Sequence, residues 1–301
     1  MTRVVLQTHA LSKKYGSHFA LNKVSLTLNQ GDIYGLVGRN GAGKTTLFKC
    51  IMGLAKPSGG KIIINGEEEN LNAVRSQMGF MINPSFFPYL NPKENLEYLC
   101  RIKGLTAKNE VSRLLKLVEL EGVKKPYKAF SLGMKQRLGI AAALLGSPSL
   151  VVLDEPINGL DPQGIIDMRA VIKNVHEQTG ATLIISSHIL SELDLVATQF
   201  GFIEQGVLLQ EISHKDLHEQ TKNSLHIEVD DVEKTQAALR VLGVRNPLVE
   251  GNRIILQSHL DQSHKLARVF VSSGVEVYDL HRKETTLEEY FMRLVGGVQN
   301  A

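Results

Sequence analysis

The most informative segment of the chain is Gly38-Arg39-Asn40-Gly41-Ala42-Gly43-Lys44-Thr45, followed by Thr46. It fits the pattern G-x-x-x-x-G-K-[ST], in which the glycines let consecutive backbone N–H groups turn toward one anion. A helix is expected to begin at its end, and the helix N-terminus adds partial positive charge. Lys44 can then reach the terminal phosphates of a nucleotide, and Thr45 can offer its hydroxyl to Mg²⁺. The segment therefore predicts a phosphate-binding loop; the alternative is a chance glycine-rich turn.

The residues around this loop predict an α/β fold. Before the loop, residues 33–37 form a nearly continuous apolar run, as expected of a strand that is buried on both faces. Residues 150–153 and 182–186 are further strand signals, and a helical pattern near 165–178 separates them. Strand–helix–strand units of this spacing favour a parallel sheet with right-handed crossovers. The segment from about 84 to 147, between the two halves of this pattern, is mostly helical in character.

Two carboxylates, Asp154 and Glu155, directly follow the strand predicted at 150–153. In an open α/β sheet, ligands bind beyond the carboxyl ends of the strands. Asp154 would be placed there to hold Mg²⁺ through its water shell, and Glu155 to polarise an attacking water. Acidic capping of a helix N-terminus is the alternative for this pair. His188 follows the next strand and could contact a γ-phosphate, although a lone histidine at a strand end is more often structural.

A third motif identifies a resemblance to a known family. The segment Phe130-Ser131-Leu132-Gly133-Met134-Lys135-Gln136-Arg137-Leu138 looks like a variant of the signature motif of the ATP-binding cassette (ABC) family, usually Leu-Ser-Gly-Gly-Gln. Residues 158–161 match the D-loop of that family and His188 its switch histidine, so that residues 3–220 resemble an ABC ATPase. The resemblance implies a P-loop NTPase core of ABC type with a helical subdomain, at about 84–147, and hydrolysis of Mg-ATP.

The same resemblance implies how the site is completed. In the family, the signature of one subunit completes the nucleotide site of the other, and two subunits close head to tail around two ATP molecules. Ser131 and Gly133 would therefore meet a γ-phosphate bound by a second subunit, with Asp161 of the D-loop beside the nucleotide. Tyr15 lies where the family places an aromatic ring against adenine; the alternative is an ordinary surface or core tyrosine.

Three positions depart from the family pattern. Asn83 lies where the Q-loop normally has Gln, or Glu in some exporters. Because Asn is neutral and one methylene shorter, its contacts with Mg²⁺ and water are expected to be longer or water-mediated. Leu132 and Met134 replace the second glycine equivalent and the final Gln of the signature. Since the phosphate loop and both carboxylates are present, we expect these changes to tune turnover rather than abolish it.

Composition excludes several classes of protein. The chain has 301 residues, or about two domains' worth, with 43% hydrophobic and 22% charged residues, which excludes disordered, collagen-like and coiled-coil proteins. The net charge of +3 gives no electrostatic reason to expect nucleic-acid binding. The two cysteines, Cys50 and Cys100, cannot form a disulfide framework and favour a reducing compartment. We expect no signal peptide and no membrane span, since the longest apolar run is far shorter than about 18 residues.

The C-terminal part predicts a separate domain. Residues 221–301 show a β-α-β-α-β pattern and a closing short helix, so we expect a small α+β domain that follows an ABC nucleotide-binding domain at 1–220. This pattern is compatible with a regulatory or dimer-contacting domain, and equally with an appendage that only stabilises the protein.

The resemblance also narrows the branch of the family. One copy of each motif, without a long coiled coil or membrane spans, excludes tandem translation factors, chromosome-maintenance relatives and fused transporters. What remains is a separate ATPase subunit, peripheral at the cytoplasmic face of a bacterial membrane, with a separate permease and a second ATPase subunit, expected to be identical. Residues 83–96, the signature and the tail are similar to bacitracin- and lantibiotic-type exporters, which implies export of antimicrobial peptides. The alternatives are another cargo (lipid, polymer or drug) and a non-transport ATP-dependent dimerisation switch.

An aromatic cluster within this branch-specific segment is a candidate partner surface. Phe86, Phe87 and Tyr89 would contact the cytoplasmic coupling helix of the permease, because exposed apolar patches often mark interfaces. The alternative is that these side chains pack inside the helical subdomain.

Overall fold

The computed structural model describes residues 3–82, 85–105, 108–221, 223–244, 247–256, 260–283 and 286–299. Over these ranges no helix combines the length and the apolar character needed to cross a membrane. The chain divides into two compact units, Met1–His214 and Lys215–Ala301. The division falls after His214 rather than near residue 220, because the residues from Lys215 onward group with the second unit.

The helices and strands, numbered in chain order, have the following bounds. They are β1 (Val4–Tyr15), β2 (His18–Val24), β3 (Thr27–Asn29), β4 (Ile33–Val37), α1 (Lys44–Ile51), β5 (Gly59–Ile64), α2 (Leu71–Arg75), β6 (Gly79–Met81), α3 (Pro92–Ile102), α4 (Lys108–Leu117), α5 (Leu132–Ala143), β7 (Leu150–Asp154), α6 (Pro162–Thr179), β8 (Thr182–Ser187), α7 (Leu190–Asp194), β9 (Gln199–Glu204), β10 (Val207–Ser213), α8 (His214–Gln220), β11 (Ser224–Val229), α9 (Val232–Val241), β12 (Leu248–Glu250), β13 (Arg253–Leu256), α10 (Ser263–Ser272), β14 (Val277–Lys283) and α11 (Leu287–Gln299).

The first unit is built around a six-stranded sheet with the order β10-β9-β4-β8-β7-β6. Strands β6 to β9 and β4 run parallel, and β10 is antiparallel to its neighbour β9. Every residue of β4 is buried, as its apolar run predicts for a strand that is covered on both faces. Because the carboxyl ends of parallel strands meet at the same edge, the segments that follow β4, β7 and β8 lie side by side.

A second, antiparallel sheet belongs to the same unit. Its order is β2-β1-β3, and β5 also pairs with β1. Leu6 and Leu28 of this sheet, Phe48 of α1 and Leu36 and Val152 of the central sheet are all buried in one core cluster. Helix α1 therefore packs against both sheets, which fixes its N-terminus beyond the end of β4.

The chain between β6 and β7 forms α3, α4 and α5, all within the segment 84–147 that the sequence predicts to be mostly helical. Helix α3 begins with a capping box, in which the Asn91 side chain accepts from the N–H of Glu94 and the Glu94 carboxylate accepts from the N–H of Asn91. The buried Asn95 side chain accepts from the N–H of Phe87 and ties the preceding segment to α3.

The second unit contains an antiparallel sheet with the order β12-β13-β11-β14. Together with α9 and α10 the elements follow the order β-α-β-β-α-β, the split βαβ arrangement. Ile227, Leu239, Ile254 and Phe270 contribute to its buried core. The sequence pattern misses β12, because its three residues are all exposed and show no alternation of apolar and polar side chains.

Candidate active site

The loop predicted at 38–45 connects β4 to α1, which begins at Lys44. Gly43 has φ 112°, and a Cβ there would lie 2.6 Å from the carbonyl oxygen of Ala20. A Cβ on Gly38 would collide with the carbonyl oxygen of Ile203. Both positions therefore require glycine. Within the described residues no side chain caps α1 and no acidic residue lies in its first turn, so that its N–H groups can bind an anion.

The other loop residues surround this helix start. Arg39, Asn40 and Gly41 are exposed, Ala42 is buried, and Thr45 and Thr46 are half-buried in the first turn of α1.

Lys44 is the buried cation of the loop. Its Nζ donates to the carbonyl oxygen of Gly38 at 2.6 Å and to that of Arg39 at 3.2 Å, which holds the side chain over its own loop. The same Nζ lies 3.2 Å from Oε1 of Glu155. Phosphate groups bound in the loop would compete with Glu155 for this ammonium group, because both are anions that seek the same donor.

Asp154 ends β7 and is held by two hydroxyl groups. Thr45 Oγ1 donates to Oδ2 of Asp154 at 2.8 Å, and Ser186 Oγ donates to Oδ1 at 2.6 Å. A carboxylate and a hydroxyl are the hard oxygen ligands that Mg²⁺ prefers. The chemistry of Thr45 and Asp154, which the structure brings together from two different elements, therefore fits this cation.

Glu155 has an unusual backbone and two charged or polar neighbours. Its φ is 50°, in the left-handed region that costs free energy for a non-glycine residue and that persists only where the surroundings hold it. Oε2 of Glu155 lies 2.9 Å from Nδ1 of His188, while Oε1 contacts Lys44. The structure thus brings together the loop lysine, the second carboxylate and the histidine that the sequence places after three separate strands.

The signature segment lies on the helical part of the unit. Ser131 caps α5, where its Oγ accepts from the N–H of Met134 at 3.3 Å, and Asp161 caps α6, where its Oδ1 accepts from the N–H of Gly164 at 2.9 Å. Gly133 lies in the first turn of α5, next to Leu160 of the D-loop segment. In the described part of the chain, the hydrogen bonds of the Ser131 and Asp161 side chains stay within their own helix starts.

Of the two remaining predicted nucleotide contacts, Tyr15 and Asn83, the structure describes only Tyr15. Tyr15 ends β1 and is 51% exposed, and Nζ of Lys13 lies 4.8 Å from the centre of its ring. One face of this ring is thereby covered by a cation, which is compatible with a second flat group on the other face. Asn83 lies outside the described residues.

Ser186 also lies in this group of residues, although no motif in the sequence indicates it. Its hydroxyl also accepts from the backbone N–H of Glu155 at 2.9 Å, so it contacts both carboxylate-bearing residues. The only signal in the sequence is a serine near the end of a β-rich run, because the parallel register that places it opposite Asp154 is a property of the fold.

Comparison with known proteins places this geometry in a family. Residues 21–158 match the family model described as ABC transporter. The chain is 40% identical to the bacitracin transport ATP-binding protein BcrA of Bacillus licheniformis, over 97% of this chain and 98% of that protein. It is also 40% identical to the lantibiotic transport ATP-binding protein SrtF of Streptococcus pyogenes, over 69% of this chain and 90% of that protein.

A solved structure supports the same assignment. The dimeric structure of MJ0796, a bacterial ABC transporter cassette, matches 69% of this chain and 98% of its own with a TM-score of 0.62 at 25% identity. The expected P-loop NTPase fold of ABC type and the expected ATPase activity are thereby confirmed. The chain belongs to the ABC transporter family, as a nucleotide-binding ATPase subunit.

Proposed function

We propose that this ATPase subunit drives the export of antimicrobial peptides of the bacitracin and lantibiotic kind through a separate membrane permease. The observation that carries this proposal is the similarity to the bacitracin transport ATP-binding protein over nearly the full length of both chains, including the second unit. The subunit would act as a peripheral protein at the cytoplasmic face of a bacterial membrane.

The residues of the site have the following proposed roles in hydrolysis. The loop amides and Lys44 bind the phosphates of ATP. Thr45 and Asp154 would hold Mg²⁺, which would neutralise developing charge on the phosphate oxygens. As Lys44 engages a phosphate, the Oε1 atom of Glu155 loses its cationic partner. The Glu155 carboxylate can then accept a hydrogen bond from a water and act as the general base. His188, already hydrogen-bonded to Glu155, contacts the γ-phosphate.

The remaining predicted contacts would come from a second copy of the chain. Ser131 and Gly133 at the start of α5, and Asp161 at the start of α6, are the residues that we assign to the nucleotide of a partner subunit in a head-to-tail homodimer. The helix start of α5 supplies N–H groups for an anion. The adenine would stack on Tyr15, with Asn83 at the Q-loop position near Mg²⁺ and water.

The permease contact is proposed for the segment before α3. Tyr89 is 76% exposed and Phe87 47% exposed. Phe86 is half-buried, with its ring 5.2 Å from that of Tyr127. Phe87 also contacts a ring, that of Tyr98 at 4.6 Å, but keeps nearly half of its surface exposed. We therefore assign Phe87 and Tyr89 to the permease and Phe86 to the packing of the helical segment.

The cargo is tested in the bacterium that carries the chain. Minimal inhibitory concentrations are measured for bacitracin and several lantibiotics. A chromosomal Glu155→Gln replacement is expected to lower this concentration for at least one of these peptides, because a subunit that cannot hydrolyse ATP cannot reset the transporter. Retention of a secreted peptide of the host inside the cell would support the proposal equally. Unchanged susceptibility and unchanged secretion across the panel would contradict peptide export, and lipids, polymers and other drugs would then be tested in the same strains.

A further inference from the structure

Ser186 lies at the centre of the edge where ATP hydrolysis takes place. It is the second-last residue of β8, it is fully buried, and it is the parallel register partner of Asp154 at the end of β7. Its side chain therefore emerges directly beside the two acidic residues rather than toward solvent. None of the roles assigned above uses this hydroxyl.

The hydroxyl of Ser186 makes two short hydrogen bonds of opposite direction. It donates to Oδ1 of Asp154 at 2.6 Å and accepts from the backbone N–H of Glu155 at 2.9 Å. One group thus holds the side chain of the first acidic residue and the backbone of the second. A serine hydroxyl has one donor and two acceptor positions, so both bonds can form at the same time.

The bond to Asp154 fixes the orientation of its carboxylate and would thereby determine which oxygen is available to a bound cation. Oδ1 is occupied by Ser186, and Oδ2 bonds to Oγ1 of Thr45, the other proposed Mg²⁺ ligand. Without the Ser186 hydroxyl, the carboxylate would be free to rotate about its own axis, and Oδ1 would lose its partner. Outer hydrogen bonds of this kind orient metal-binding carboxylates in other proteins.

The bond to Glu155 acts on the backbone. Glu155 has φ 50°, a conformation that an L-residue keeps only when its surroundings hold it there. Its N–H is held by Ser186, and its side chain points to Lys44 and His188. Release of the N–H would let the backbone relax and would move the carboxylate away from this pair.

We infer that Ser186 is a positioning residue for hydrolysis, which orients Asp154 toward Mg²⁺ and holds the backbone of Glu155 in the conformation that aims its carboxylate at the site. This inference rests on the proposed roles of Asp154 and Glu155. It assigns Ser186 no contact with the nucleotide itself.

The test compares Ser186→Ala with Thr182→Val in the full chain. Thr182 is also fully buried in β8, at its other end, where its Oγ1 accepts from the N–H of Gly31 at 3.0 Å. Both variants delete one buried hydroxyl group from the same strand and approximately keep the shape of the side chain. A loss caused only by weakened folding would therefore appear in both, and melting temperatures measure that part directly.

Two readouts separate positioning from stability. For Ser186→Ala we expect kcat to fall by about 10- to 100-fold and the Mg²⁺ concentration for half-maximal turnover to rise, as for other outer residues of metal sites. In EDTA, the variant and the parent protein should bind a fluorescent ATP analogue with equal affinity. Adding Mg²⁺ should raise the affinity of the parent protein but have little effect on that of the variant. Ser186→Thr, which keeps the hydroxyl, should restore the Mg²⁺ dependence. Should Ser186→Ala not fold, Ser186→Cys, with its weak donor, is measured in its place.

Turnover and Mg²⁺ dependence of Ser186→Ala that match those of Thr182→Val would overturn the inference. Asp154→Asn and Glu155→Gln are measured in parallel. If these two variants lose hydrolysis while Ser186→Ala keeps it, only the positioning role fails. If they hydrolyse ATP normally, the proposed roles of the two carboxylates fail instead.

Discussion

Glu155→Gln is expected to lower ATP turnover by about 10²- to 10⁴-fold, the range by which a positioned general base contributes. The amide keeps the size of the side chain but cannot take a proton from water. ATP binding should persist, because Lys44 and the loop amides remain and a negative charge beside the phosphates is removed. The variant should therefore accumulate as an ATP-bound dimer, which size-exclusion chromatography with and without ATP would detect.

A matched control exists elsewhere in the same unit. Glu94 accepts from the N–H of Asn91 in the capping box of α3, a role that Gln performs as well. Glu94→Gln makes the same chemical change and should leave turnover at the parental level. Full hydrolysis by Glu155→Gln, under conditions where the parent protein is active, would remove Glu155 from the role of base.

The Lys44→Ala and Ser131→Arg variants should each fail to hydrolyse ATP when measured alone. Hydrolysis should return when the two variant proteins are mixed and exchange subunits. In a head-to-tail dimer, each site combines Lys44 of one subunit with Ser131 of the other. A mixed dimer therefore has one site with both changes and one site with neither. With equal amounts, about half of the dimers are mixed and carry one intact site of two, so we expect about a quarter of parental turnover.

The control for this experiment mixes Lys44→Ala with Glu155→Gln. The Lys44 ammonium and the Glu155 carboxylate are 3.2 Å apart in one chain, so they belong to the same half of a site and every site of this mixed dimer carries one change. No recovery is expected. Failure of the first mixture to recover, although differently tagged subunits are shown to associate, would contradict the head-to-tail arrangement.

The sequence predicts much of the site because its motifs follow strands. The apolar run at 33–37 indicates a buried strand. The glycines, Lys44 and Thr45 after it are all suited to binding phosphate groups and their Mg²⁺. The two carboxylates follow a strand of the same kind. Since parallel strands end at one edge of the sheet, chain order alone brings the lysine, the carboxylates and His188 together.

Other features depend on register and backbone geometry that sequence patterns do not carry. Ser186 is opposite Asp154 only because β7 and β8 pair in one particular register. The positive φ of Glu155 and its contact with Lys44 arise from the turn after β7. Strand β12 is not predicted because short, exposed strands lack alternation. The unit boundary lies after His214 because α8 from Lys215 onward groups with the second unit, which no pattern in the sequence indicates.

The most direct measurement of peptide export uses inside-out membrane vesicles from cells that carry the permease and this chain. A labelled peptide of the bacitracin or lantibiotic kind is supplied outside the vesicles together with Mg-ATP, and its uptake is followed. The account predicts uptake that requires ATP and that disappears when the chain carries Glu155→Gln. Equal uptake with the parent and the Glu155→Gln chains, while the parent still hydrolyses ATP, would contradict it.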